Sequence, residues 1–118
     1  MYIRTKDGVF EVTKDTKGRK FIVVGKNKTL LDYETFIHNE SDIIDQSENL
    51  DELCDEFVIE YHNGSKIISI HDNTDDFLRE HKFEIKSGYI KNVYGAIWTD
   101  KGLIYVAKMN QKGELCLL

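Results

Sequence analysis

The stretch Tyr89-Ile90-Lys91-Asn92-Val93-Tyr94-Gly95-Ala96-Ile97-Trp98-Thr99-Asp100-Lys101-Gly102-Leu103-Ile104-Tyr105-Val106-Ala107-Lys108-Met109 decides the fold class. It is rich in aromatic and β-branched residues, which suit a pleated, half-buried surface. Residues 89–99 predict one long strand, bulged at Gly95. Asp100-Lys101-Gly102 supplies turn chemistry, and residues 103–109 return as a second strand. Gln111-Lys112-Gly113 turns the chain again, into a third strand over 114–118. Ile97, Leu103, Tyr105 and Val106 are the expected core residues of this meander.

Upstream of it, residues 57–61 and 66–71 predict a hairpin closed by Asn63-Gly64, a favoured two-residue turn. A short helix is expected from Asn73. Asp75 and Asp76 occupy its first turn and Arg79 and Lys82 lie near its end, as the helix dipole prefers. Phe77, Leu78 and His81 lie near one face of it. Residues 83–85 are expected to form a strand. Further upstream, Asn49 followed by Glu52 has the pattern of a capping box. Leu50, Leu53, Cys54 and Phe57 follow at helical spacing, so an α-helix is expected there too, with Asp51, Glu52, Asp55 and Glu56 turned outward.

The first quarter predicts another meander, over residues 1–5, 9–13 and 20–24, with Asp7-Gly8 and Lys17-Gly18 as turns. Phe10 and Val12 alternate with polar neighbours, as one sheet face requires. Residues 25–31 are expected as a loop, residues 33–37 fit no single element, and residues 42–45 fit a short strand through Ile43 and Ile44. The order of strands, helix, hairpin, helix and strands implies an α+β fold. Its sheet is mostly antiparallel, with an N-terminal and a C-terminal meander and two short α-helices. One compact domain is expected over residues 1–118, with residues 45–50 as the place where it would subdivide.

The charges are sorted along the chain. Residues 29–65 hold eleven carboxylates and no lysine or arginine. The residues before that window carry eight bases against three acids, and those after it eight bases against seven acids. Like charges held together create a directional field that dispersed charges do not. Exposed ion pairs contribute only about 0–1 kcal/mol each, so neutralisation within the fold would not by itself demand such sorting. Complementarity to a basic surface speeds encounter and excludes wrong partners, which favours a protein-binding role. The expected partner-binding residues are Asp42, Asp45, Glu48, Asp51, Glu52, Asp55, Glu56 and Glu60.

Nothing in the chain spells out a reaction, and no enzymatic role, cofactor or metal is expected. The histidines His38, His62, His71 and His81 lack the short spacings of zinc motifs, and neither Cys54 nor Cys116 has a close partner. Both cysteines are expected as buried free thiols. Cys54 falls on the apolar side of its expected helix, which favours packing over nucleophilic chemistry. A basic turn at Lys14, Lys17, Arg19 and Lys20, beside Phe21, and the aromatic residues Tyr89, Tyr94 and Trp98 would suit a nucleic acid. The net charge of −5 opposes a long polyanion, and direct nucleic-acid binding is disfavoured. Arg4 and Lys6 interrupt any apolar leader, and no run approaches the roughly 20 apolar residues that span a bilayer. No membrane partner is expected, and the location is expected to be cytoplasmic.

Two further stretches carry a resemblance. Asp51-Glu52-Leu53-Cys54-Asp55-Glu56-Phe57-Val58 is one, and Gly95 to Asn110, continuing to Gly113-Glu114, is the other; the opening Met1-Tyr2-Ile3-Arg4-Thr5-Lys6-Asp7-Gly8 is similar in style. Together they resemble small proteins encoded by phages and prophages of Gram-positive bacteria, a group with no assigned activity. The resemblance covers about half the chain and implies a genetic setting in which small accessory proteins bind and disable host proteins. With the charge pattern, it leads to the expectation of a non-enzymatic binding module. Its acidic surface would engage a basic groove on a host protein. The sharpest form is an anti-CRISPR-like, nucleic-acid-mimicking inhibitor of a defence nuclease. The alternative is a self-associating structural or regulatory phage accessory protein, whose N-terminal bases meet the acidic middle of a second copy.

Overall fold

The computed structural model describes residues 1–14, 21–23, 43–69 and 73–118. The chain divides into two compact units, Met1–Asn49 and Leu50–Leu118. The α+β class with mostly antiparallel sheet is as expected.

The first unit holds β1 Tyr2–Thr5, β2 Gly8–Lys14, β3 Phe21–Val23 and β4 Asp45–Ser47. They form an antiparallel sheet in the order β3-β2-β1-β4. Thr5 pairs with Gly8, so Lys6 and Asp7 make the hairpin turn, and the Asp7 N–H donates to Thr5 Oγ1 (3.2 Å). Ile3 and Val12 are buried. The strand expected over 42–45 is displaced toward the C-terminus. Asp45, Gln46 and Ser47 pair with Arg4, Ile3 and Tyr2, and Ile44 is left largely exposed. Lys17, Arg19 and Lys20, the expected loop at 25–31 and residues 33–37 lie outside the described residues.

The second unit begins with a 3₁₀ turn, Leu50–Leu53, followed by β5 Glu56–Tyr61 and β6 Lys66–Ser69. Then come α1 Thr74–Glu80 and α2 Lys82–Lys86. Finally come β7 Ile90–Thr99, β8 Gly102–Met109 and β9 Leu115–Leu117. The sheet order is β6-β5-β7-β8-β9, antiparallel throughout. The hairpin at Asn63-Gly64 and both C-terminal turns fall where the sequence places them. Next to Gly95 the β7–β8 register shifts: Gly95 faces Ala107, Ala96 faces Tyr105, and Val106 is the additional residue. A Cβ on Gly95 would stand 2.6 Å from Cys54 Sγ, so only glycine fits there without a shift.

A main cluster lies on one face of this sheet, while Val58 and Ala96 are buried on the other. Phe57, Ile59 and Val93 meet Phe77 of α1, whose ring packs edge-on against Phe57 with centroids 5.5 Å apart. Asn73 caps α1 through its side-chain oxygen, which accepts the Asp76 N–H (2.9 Å). The N–H and hydroxyl of Thr74 both donate to Asp51 Oδ2 (3.2 and 3.3 Å). The orphan donors that open a helix are thereby satisfied in part by a residue from the 3₁₀ turn.

Two expected elements are corrected. Residues 49–57 do not form an α-helix. Leu50 and Leu53 are buried as expected, but their spacing of three also suits a 3₁₀ turn, which repeats every three residues. The backbone then leaves for the sheet, where the Asp55 N–H bonds to the Ala96 carbonyl (2.8 Å) and Phe57 pairs with Gly95. Residues 83–85 are helical, within α2, and Phe83 is 75% exposed. Gly88, at φ +74°, then reverses the chain, as a glycine beyond a helix end does.

Four expectations of burial are corrected as well. Leu103 and Tyr105 are half-buried, while Ile97 and Val106 are buried. Cys116 is exposed, because β9 turns Leu115 to the core and its neighbour to the other face. Cys54 is half-buried, and both thiols are free. Among the described residues no helix is long and apolar enough to cross a membrane.

Candidate functional site

Of the eight acids singled out from the sequence, Asp42 lies outside the described residues. Asp45 and Glu48 belong to the first unit. Asp45 opens β4 and its Oδ1 accepts the Gln46 N–H (2.8 Å). Glu48 is exposed and stands 3.6 Å from the terminal ammonium of Met1. The remaining five, Asp51, Glu52, Asp55, Glu56 and Glu60, belong to the second unit. Because the expected helix is absent, Asp51, Glu52, Asp55 and Glu56 do not form the single outward helical face that the spacing suggested. Asp51 is committed to the start of α1, and Glu52 is exposed on the 3₁₀ turn.

Asp55 and Glu56 do converge, around an aromatic residue. The Trp98 backbone N–H donates to Asp55 Oδ2 (2.8 Å), and the indole Nε1–H donates to Glu56 Oε1 (3.3 Å). Asp55 thus fixes the backbone and Glu56 the indole, while the residue stays 52% exposed. Strand alternation explains the placement. Ile97 points into the core, so Trp98 points to the opposite face. On that face, away from the helices, Glu56, Val58 and Glu60 of β5 lie beside Ala96, Tyr94 and Asn92 of β7, and Trp98 faces Leu103. Tyr94 stacks on Tyr105, with centroids 4.6 Å apart, and Lys66 Nζ lies 5.6 Å from the Tyr105 ring.

Glu60 sits on the same face in a different electrostatic setting. It accepts a hydrogen bond from Asn92 Nδ2 (2.8 Å) and lies 3.8 Å from Lys66 Nζ. The Asn92 bond first, and then the nearby charges of Lys91, Lys66 and Lys108, hold its carboxyl below the ordinary glutamate range. Its charge is locally offset. Of the others, Glu52 and Asp55 are exposed and Glu56 is half-buried.

A tryptophan held by an acidic rim has the makings of a binding anchor, since large aromatic residues dominate interface energetics. The sequence marked Trp98 only as a base-stacking candidate. The signal for its present role was its parity with buried Ile97. The two acids that hold it lie more than forty positions earlier, and only the β5–β7 register reveals the meeting. Among the described residues no group of three or more His, Cys, Asp or Glu side chains is placed to hold a metal ion. Compared with known protein families, with curated proteins and with solved structures, the chain matches none.

Proposed function

We propose that this chain is a phage-derived, non-enzymatic protein-binding module of the bacterial cytoplasm that engages a basic groove on a host protein. Inhibition of a nucleic-acid-handling defence nuclease is its sharpest form. The observation that carries the reading is the exposed Trp98 held by two carboxylates, Asp55 at its backbone N–H and Glu56 at its indole. The carboxylates supply a field that attracts a basic surface, and the indole supplies area to bury once contact is made. The crowding of eleven carboxylates into residues 29–65, without a base among them, supports the same reading.

The test starts from a partner captured from a Gram-positive host and then purified. The double variant Glu52→Lys, Glu56→Lys should bind it at least about tenfold more weakly and with a flatter salt dependence. Trp98→Ala should weaken binding by a similar factor while keeping the salt dependence. Asp51 stays unaltered, because its carboxylate holds the start of α1. Unchanged affinity and unchanged salt slope in the charge-reversed variant would sink the acidic-surface mechanism.

A further inference from the structure

A second feature of the Leu50–Leu118 unit lies away from Trp98. A cleft of about 440 Å³ is lined by Tyr61, His62, Asn63, Glu84, Gly88 and Tyr89. It forms where β5 runs into its hairpin turn and where α2 hands over to β7. The Tyr89 N–H donates to the Glu84 carbonyl (3.2 Å), and the His62 N–H donates to the Tyr89 carbonyl (3.4 Å). These bonds place the two tyrosines on neighbouring strands at the same end of the sheet. Tyr89 is 62% exposed, so its ring is available to a ligand.

The Glu84 carboxylate is the one acidic group in the lining, and its orientation is fixed from behind. The Tyr61 hydroxyl donates to Glu84 Oε2 (3.0 Å), and His81 Nδ1 lies 3.2 Å from Glu84 Oε1. His81 Nε2 in turn faces Ser69 Oγ at 3.4 Å. All three contacts are satisfied by one neutral tautomer, in which Nδ1–H donates to Glu84 and Nε2 accepts from the Ser69 hydroxyl. The His81 ring rests on Phe77 at 4.7 Å, which ties the relay to the core. Burial first, and the bond to Glu84 second, raise the Tyr61 phenol above the ordinary tyrosine value, so it stays a neutral donor. None of the six lining residues is a lysine or arginine.

A preoriented carboxylate beside two tyrosine rings is the chemistry that receives an organic cation. The rings offer their negative faces, and the carboxylate offers a full charge. Each oxygen of Glu84 already accepts one bond and keeps one lone pair, so the carboxylate can still accept from a cation. An ammonium on a flexible alkyl stem can place its charge on such a lone pair while the stem lies along the rings. We propose that this cleft receives a lysine side chain of the basic partner, with the ammonium at Glu84 and the alkyl stem along Tyr89 and Tyr61. The identity of the occupant rests on the basic-partner reading above; the preference of the cleft for an ammonium does not.

The experiment follows amide and aromatic NMR signals of the full chain during titration with Nα-acetyl-lysine methylamide. The norleucine counterpart is run in parallel. The lysine probe should give saturable shifts confined to the residues of the cleft. Norleucine, which keeps the stem and lacks the charge, should bind at least about tenfold more weakly. Glu84→Gln should weaken the lysine probe about tenfold, and Tyr89→Ala, at a largely exposed side chain, several-fold. Equal binding of lysine and norleucine, binding of neither, or a lysine affinity indifferent to both variants would overturn the proposal. The Glu52→Lys, Glu56→Lys variant should bind the probe as the parent does. Loss of partner binding there with the probe response intact separates the acidic surface from the cleft, and so does the reverse.

Discussion

Residues 49–57 and residues 73–81 both open on an asparagine with an acid three positions later, and both then carry apolar side chains. Only the second forms an α-helix. In 73–80 the Asn73 side chain caps the first turn, Asp51 adds two further contacts, and Phe77 inserts fully into the core. In 49–57 a 3₁₀ turn buries Leu50 and Leu53, and the chain then joins the sheet. The difference arises just downstream of the turn. Phe57, Val58 and Ile59 are strand-formers with an open place beside β7, and the ladder they complete outweighs a continued helix. A start signal opens a helix, but tertiary pairing decides how far it runs.

Three sets of changes test that contrast. Phe77→Ala removes the side chain that anchors α1 and should cost about 4 kcal/mol of unfolding free energy in urea, by loss of burial and creation of a cavity. A loss below about 1 kcal/mol would mean that α1 is held mainly by its caps. Gly95→Ala drives a methyl group toward Cys54 Sγ, directly after the 3₁₀ turn, and should cost about 2 kcal/mol through overpacking. Cys54→Ala in the same chain should return much of that loss; additive losses in the double variant would disprove the close contact. The smallest effect separates the two asparagines. Asn73→Ala should cost about 1 kcal/mol, and Asn49→Ala less than half as much, because only Asn73 caps an α-helix. Equal losses would show that both asparagines act as caps.

Legibility in the sequence followed the range of the signals. The Asn63-Gly64 turn, the Asn73 cap, the irregularity beside Gly95 and the two C-terminal turns are local, and each was readable from a few neighbouring residues. Residues 83–85 misled because Phe-Glu-Ile alternates over too short a run. The helix-forming Lys82, Glu84 and Lys86, with Gly88 beyond them, were the better guide. Leu50 and Leu53 were rightly assigned to the core, but a spacing of three cannot separate a 3₁₀ turn from an α-helix. The sites were less visible still. Asp55 and Glu56 meet Trp98, and Tyr61 meets Glu84, across separations that no local pattern encodes.

The central pairing of the larger sheet also constrains how that unit assembles. Hairpins β5–β6 and β7–β8 each close over a short turn and can form by themselves. Joining β5 to β7 brings together residues such as Glu60 and Asn92, 32 positions apart, with α1 and α2 in the intervening chain. Closing a loop of that length costs about 3 kcal/mol of chain entropy before any contact compensates for it. The compensation comes when Phe77 reaches Phe57, Ile59 and Val93. Helix docking and sheet closure are therefore coupled energetically: each supplies contacts that offset the chain entropy the other must lose.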